Sequence, residues 1–76
     1  MKTVKINLGH AEDVKKFVTL VNDYPYDVDL RIGRHVVDAK SILGIFSLDL
    51  SKPVYLDINS SECDDILKAL ESFIVK

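Results

Sequence analysis

The spacing of apolar residues changes several times along this chain, and that limits the folds it can adopt. Val4, Ile6 and Leu8 alternate with polar residues, a period of two that predicts a half-buried strand. Apolar residues from Val14 to Val21 at spacings of three and four then predict an amphipathic helix of about three turns, with Glu12 and Asp13 in its first turn and its end before Pro25. Because the chain has only 76 residues, we expect residues 1–76 to form one domain around one small core.

The same criteria predict five further elements. A period-two pattern over residues 28–32 predicts a second strand, and a tight turn at Gly33 and Arg34 leads into a short third strand around residues 35–38, which indicates a hairpin. An apolar run after Ser41 predicts a short helix with that serine as its N-cap, and Pro53 precedes a strand over residues 54–58. A last helix begins in the acidic segment 59–65. Its predicted buried stripe comprises Ile66, Leu67, Leu70, Phe73 and Ile74.

The order β-α-β-β-α-β-α predicts an α+β fold in which the helices cover one face of a four-stranded, mainly antiparallel sheet. Ten basic against twelve acidic residues leave a net charge of −2, which argues against a nucleic-acid-binding protein.

One cysteine and two histidines make no zinc pattern, so neither a metal nor a cofactor is expected. Without a secretory or membrane-spanning apolar run, we expect a cytoplasmic protein with no membrane insertion. Cys63 lies on the apolar side of the last helix and is predicted to be a buried thiol.

Two residues stand where helices begin. His10 precedes the first helix, where free backbone N–H groups accommodate an anion, including a phosphoryl group carried on the imidazole ring. The alternative is a turn histidine with no chemical role. Ser41 precedes the second helix and an apolar patch, a suitable place for phosphorylation. The alternative there is a plain helix cap.

The segment from Lys40 to Leu48 carries a family resemblance. It reads Lys-Ser-Ile-Leu-Gly-Ile-Phe-Ser-Leu and resembles the Lys-Ser-Ile-Met-Gly-Val-Met-Ser-Leu segment of HPr. HPr is the histidine-containing phosphocarrier of the bacterial phosphoenolpyruvate-dependent sugar phosphotransferase system. The inferred order of elements also resembles that of HPr over nearly the whole chain, which implies an HPr-like open-faced sandwich.

The resemblance implies roles for particular residues. Ser41 falls on the serine that an ATP-dependent kinase phosphorylates in Gram-positive relatives, and His10 falls on the catalytic phosphoryl acceptor. A patch that binds partners is implied at Ile42, Leu43, Phe46 and Leu48. The implied partners are phosphotransferase-system enzymes, a serine kinase and a regulatory protein.

The chain departs from the family pattern beside His10. The family has arginine and proline where this sequence has Glu12 and Asp13. Arginine offers a fork of donors to a phosphate, whereas a carboxylate repels it. Three hypotheses follow. The chain is a phosphoryl carrier that uses His10, a non-carrier regulator or interaction module that depends on Ser41, or an α/β scaffold that binds an unrelated partner.

Overall fold

A computed structural model describes residues 1–75 and contains three helices and four strands. The strands are β1 (Lys2–Ile6), β2 (Val28–Ile32), β3 (His35–Asp38) and β4 (Val54–Ile58). The helices are α1 (Ala11–Asn22), α2 (Ile42–Phe46) and α3 (Asp64–Ala69). The predicted order of elements is therefore confirmed. None of these helices is long and apolar enough to cross a membrane.

The four strands form one antiparallel sheet in the order β1-β4-β2-β3. Successive side chains along each strand point to opposite faces of the sheet, one buried and one open. Leu30 and Leu56 lie opposite each other and are fully buried in the core, together with α1 residues such as Phe17. Arg31 and Tyr55, the next pair in the register, belong to the opposite, open face. The expected open-faced α+β arrangement is thus confirmed.

Helix α1 buries the stripe that its spacing predicts. Val14, Phe17 and Val21 are inaccessible to solvent, since positions three and four apart share one side of a helix. The helix ends at Asn22, and the Asp23 N–H donates to the Leu20 carbonyl over 3.1 Å.

The β2–β3 hairpin turns at Gly33 and Arg34, as predicted. Gly33 has a φ of 55°, a left-handed value that glycine adopts without steric cost. Ile32 and His35 flank the turn as partners in the register.

The last helix is shorter than the sequence predicts, and this part of the prediction was wrong. Helix α3 ends at Ala69, so Phe73 and Ile74 lie outside it. The Phe73 carbonyl instead accepts from the Asn7 N–H over 2.9 Å, and Ile74 forms a bridge with Ile6. Between Ala69 and Ile74 the chain continues in turns, for example with the Phe73 N–H donating to the Leu70 carbonyl over 2.8 Å, and the long-range contacts join this segment to the end of β1.

The end of the first strand and the start of the last helix also differ from the prediction. Strand β1 ends at Ile6, and Leu8 is buried without belonging to it. Helix α3 begins only at Asp64, because Cys63 occupies the N-cap. Cys63 is 3% exposed, which confirms the predicted buried thiol.

An ion pair on the open face makes stability depend on pH. The Nε of Arg31 lies 3.0 Å from a carboxylate oxygen of Asp57, and the Thr3 hydroxyl donates to the other oxygen over 2.7 Å. These bonds, chiefly those from Arg31, hold the pKa of Asp57 below its ordinary value. The folded state then binds fewer protons than the unfolded state as the pH falls, so acid favours unfolding. This contribution is complete above the carboxyl's unfolded pKa of about 4 and disappears as the pH falls through the lower folded value.

We therefore expect Asp57→Asn to lower the urea midpoint near neutral pH and to change it much less at about pH 2. Urea titrations across that range measure the difference. Asp27→Asn is the matched control, since Asp27 is exposed and its side chain makes no hydrogen bond within residues 1–75. A loss of stability in Asp57→Asn that stays constant across the range would contradict this explanation.

Candidate functional site

His10 is the N-cap residue of α1. Its backbone is extended, with φ −127° and ψ 150°, and its carbonyl accepts the first helical hydrogen bond from the Val14 N–H over 3.2 Å. The imidazole makes no capping bond to the helix, and the residue is exposed. The ring is therefore available to an external reactant at the helix end where free N–H groups collect.

Two carboxylates follow His10 in the first turn of α1. Glu12 is exposed and Asp13 is half-buried. Carboxylates at this end stabilise a helix, by typically about 0.3–1 kcal/mol each, because they interact favourably with the helix dipole. The same charges oppose a phosphoryl group at that place. The lysines of α1, Lys15 and Lys16, are exposed and come one turn later.

Ser41 is the N-cap residue of α2, as predicted. Its Oγ accepts from the Gly44 N–H over 3.3 Å, near the upper limit for such a bond, and the residue is exposed. Gly44 packs closely against its neighbours here, so a side chain at this position would require them to move by a few tenths of an ångström. A Cβ at that position would lie 3.3 Å from the Ser41 Oγ and 3.4 Å from the Val37 Cβ.

The apolar residues of α2 divide into an anchor and an exposed patch. Ile45 is fully buried and fixes the helix to the core. Leu43 and Phe46 are 82% and 45% exposed, while Ile42 and Leu48 are half-buried. We call these four residues the α2 patch. Exposed apolar groups that lie together are typical of an interaction surface, and that role for the α2 patch stays a prediction.

The structure reveals one contact that the sequence analysis missed. Lys40 Nζ donates to the Tyr24 carbonyl over 2.9 Å and so ties the residue preceding Ser41 to the segment after α1. No local pattern could have found this bond, because it joins residues 16 positions apart. His10 and Ser41 themselves share no hydrogen bond within residues 1–75, and each begins a separate helix.

Helix α1 also carries a shallow hollow that the sequence analysis did not single out. Its lining residues are Lys15, Lys16, Thr19, Leu20 and Asp23. These residues lie one, four, five and eight positions after Lys15, and this spacing, which places them on one side of α1 and its C-cap, is the signal that could have identified the hollow.

A family model described as the phosphorylation site of the PTS HPr component matches residues 2–76. The chain belongs to the HPr family. Here PTS denotes the phosphotransferase system. The match covers nearly the whole chain, so it confirms the resemblance inferred from the segment around Ser41.

Solved HPr structures agree with this assignment. The HPr-C-His protein from Thermoanaerobacter tengcongensis is 30% identical, with a TM-score of 0.79, over 95% of this chain and 89% of that one. HPr from Bacillus anthracis is 26% identical with a TM-score of 0.72, over 97% and 94% of the two chains. The chain is thus similar to HPr structures over most of their length.

A third HPr-like structure is Crh of Bacillus subtilis, described as a catabolite repression protein that forms a domain-swapped dimer. It is 30% identical with a TM-score of 0.67, over 91% of this chain and 80% of Crh. The two 30% identities show that this chain is as similar in sequence to Crh as to the first HPr.

Proposed function

We propose that this HPr-family protein is a Ser41-dependent regulator of bacterial carbon metabolism that acts in the cytoplasm. The observation that carries the proposal is the contrast between the two helix starts. The α2 start has an exposed serine beside an exposed apolar patch, whereas the α1 start has Glu12 and Asp13 next to the histidine. The similarity of this chain to Crh, which is described as a catabolite repression protein, supports the same function.

Phosphorylation of Ser41 would change the chemistry of the α2 patch. A kinase transfers the γ-phosphoryl group of ATP to Oγ, the hydroxyl proton leaves to a base, and ADP is released. The product adds about −1.5 to −2 charge at the start of α2, where helix N–H groups tolerate an anion. Leu43, two residues away and 82% exposed, remains available beside it. A partner that offers both an apolar surface and an arginine or lysine would then recognise the modified form.

We expect that a serine kinase that acts on HPr-family proteins, incubated with ATP, adds one phosphoryl group to the wild-type protein and none to Ser41→Ala. Intact-mass spectrometry measures the addition. Ser47→Ala is the matched control and should be modified like the wild type, because Ser47 follows α2 rather than capping its start. The proposal fails if the wild type stays unmodified or if Ser41→Ala is modified equally.

A second candidate function is phosphoryl transfer through His10 within the phosphotransferase system. It is favoured by the exposed imidazole, which makes no bond to the helix that it caps. Incubation with the first enzyme of the system and phosphoenolpyruvate tests it directly. An acid-labile phosphoryl group on the wild type that is absent from His10→Ala would establish His10 as the phosphoryl acceptor, the first step that a carrier requires. Equal results for both proteins would exclude one.

A further inference from the structure

Strand β3 lies at one edge of the sheet and pairs only with β2 among residues 1–75. The opposite edge strand, β1, is partly covered. The Val75 N–H donates to the Lys5 carbonyl over 2.8 Å, and the Asn7 N–H donates to the Phe73 carbonyl over 2.9 Å. The outer backbone edge of β3 thus has no strand partner among residues 1–75, although Ser47, Leu48 and Asp49 line a hollow beside Val36 and Val37. An unpaired edge is a template for another strand.

The register shows which backbone groups of β3 point outward. In a hairpin with a two-residue turn, the residues that flank the turn form a hydrogen-bonded pair, and such pairs alternate along the strands. The hydrogen-bonded pairs between β2 and β3 are thus Ile32 with His35 and Leu30 with Val37, whose backbone groups point toward the partner strand. The N–H and C=O of Val36 consequently point away from β2.

The side chains around Val36 have a self-complementary order. Val36 is 57% exposed, a high value for a valine within a strand. Arg34 stands two residues before it and Asp38 two residues after it, and both are exposed. Reversing the direction of the segment exchanges the positions of the two charges while Val36 stays in the centre.

We propose that two copies of this protein associate by antiparallel pairing of their β3 edges, with Val36 on the two-fold axis. The two Val36 residues exchange N–H to C=O hydrogen bonds, and the sheet continues from one copy into the other. Arg34 of each copy then lies opposite Asp38 of the second copy. Val36 and Asp38 are two apart in β3 and share a face of the sheet, while Arg34 lies in the turn just before the strand and reaches the Asp38 carboxylate of the second copy through its long side chain. This is an isologous interface and closes at two subunits.

Such a dimer is expected to be weak and sensitive to salt. The strand has only four residues, and the Asp38 carbonyl already accepts from the Ser41 N–H over 3.0 Å. Small interfaces of this kind belong to transient complexes. Because the flanking ion pairs are exposed, salt screens them.

Sedimentation velocity at protein concentrations from about 20 µM to about 1 mM, the range for a weak complex, tests the proposal. We expect the average mass to rise from the monomer value of 8.6 kDa toward twice that value, and less so in high salt. Concentration-dependent NMR shifts should centre on residues 34–38. A mass that stays at 8.6 kDa at the highest concentration, or shifts that centre on β1 as a swap of that strand would give, overturns the proposal.

A pair of charge reversals tests the register itself. Arg34→Glu and Asp38→Lys each place like charges opposite one another in a self-pair, so each variant alone should weaken association about ten-fold. In an equimolar mixture of the two variants, opposite charges face each other at both positions of a mixed dimer. The mixture should therefore associate as strongly as the wild type. Lys2→Glu, on the other edge strand, is the matched control and should dimerise like the wild type.

Asp38 has a second contact that needs a check. Its carboxylate accepts from the Lys40 N–H over 2.9 Å, so Asp38→Lys also removes a turn contact. Thermal unfolding of each variant shows whether it is folded. If Asp38→Lys does not fold, the association of Arg34→Glu alone tests the proposed register. An Arg34→Glu protein that dimerises with the wild-type constant contradicts the proposed register.

Discussion

Replacing Glu12 with arginine should raise the initial rate of phosphoryl transfer to His10 by about ten-fold or more. Two unit charges close together in water interact with roughly 1 kcal/mol, and the exchange turns a repulsion into an attraction. A change of 1.4 kcal/mol corresponds to a factor of about ten. Arginine also supplies paired donors that match phosphate oxygens.

A graded set of variants separates charge from hydrogen bonding. Glu12→Gln removes the repulsion without adding a cation, so its rate should lie between those of the wild type and Glu12→Arg. Glu62→Arg makes the same change of charge at an exposed residue outside α1 and should leave the rate unchanged. The rate is measured with the first enzyme of the phosphotransferase system and phosphoenolpyruvate.

Two outcomes would contradict this electrostatic explanation. One is a Glu12→Arg variant that is phosphorylated no faster than the wild type. The other is a Glu62→Arg variant that gains as much, which would show that net charge rather than position decides. Either result would show that the charge in the first turn of α1 does not limit the rate of phosphoryl transfer to His10.

Phe17→Ala should lower the free energy of unfolding by about 3–5 kcal/mol. Phe17 is fully buried, and its ring packs edge-to-face on Phe73 with centroids 5.9 Å apart and an interplanar angle of 80°. Its removal leaves a cavity between α1 and the C-terminal segment. Small domains have a total stability of about 5–15 kcal/mol, so this loss brings the protein close to unfolding.

Phe46→Ala is the matched control for that prediction. The two substitutions remove the same atoms, but Phe46 is 45% exposed and leaves far less of a cavity. We expect its cost to stay below about 1 kcal/mol. Urea unfolding followed by circular dichroism measures both variants. Equal losses would mean that Phe46 is as important to the core as Phe17.

Local pattern predicted most of the fold. Helix α1 and strands β1, β2 and β4 follow from apolar spacing, because each buries one face against a common core, whereas β3 followed from the turn that precedes it. The β2–β3 turn followed from Gly33, and the start of α2 followed from Ser41. All of these signals lie within a few residues of the element that they specify.

The errors occurred where distant residues decide the structure. Phe73 and Ile74 continue a helical spacing, yet pairing with β1 holds them outside α3. Leu8 continues a strand spacing, yet β1 ends before it. The positions of His10 and Ser41 at helix starts were predictable from sequence, whereas the bond from Lys40 to Tyr24 depends on how α1 and α2 pack.

The acidic first turn of α1 has an evolutionary consequence. Glu12 and Asp13 strengthen the helix that they begin, while they oppose a phosphoryl group on the preceding histidine. An arginine at position 12 would give up part of that helix stability in the same step that it improves phosphoryl transfer to His10. Selection for the stability of α1 therefore acts in favour of carboxylates at positions 12 and 13, independently of whether His10 carries a phosphoryl group.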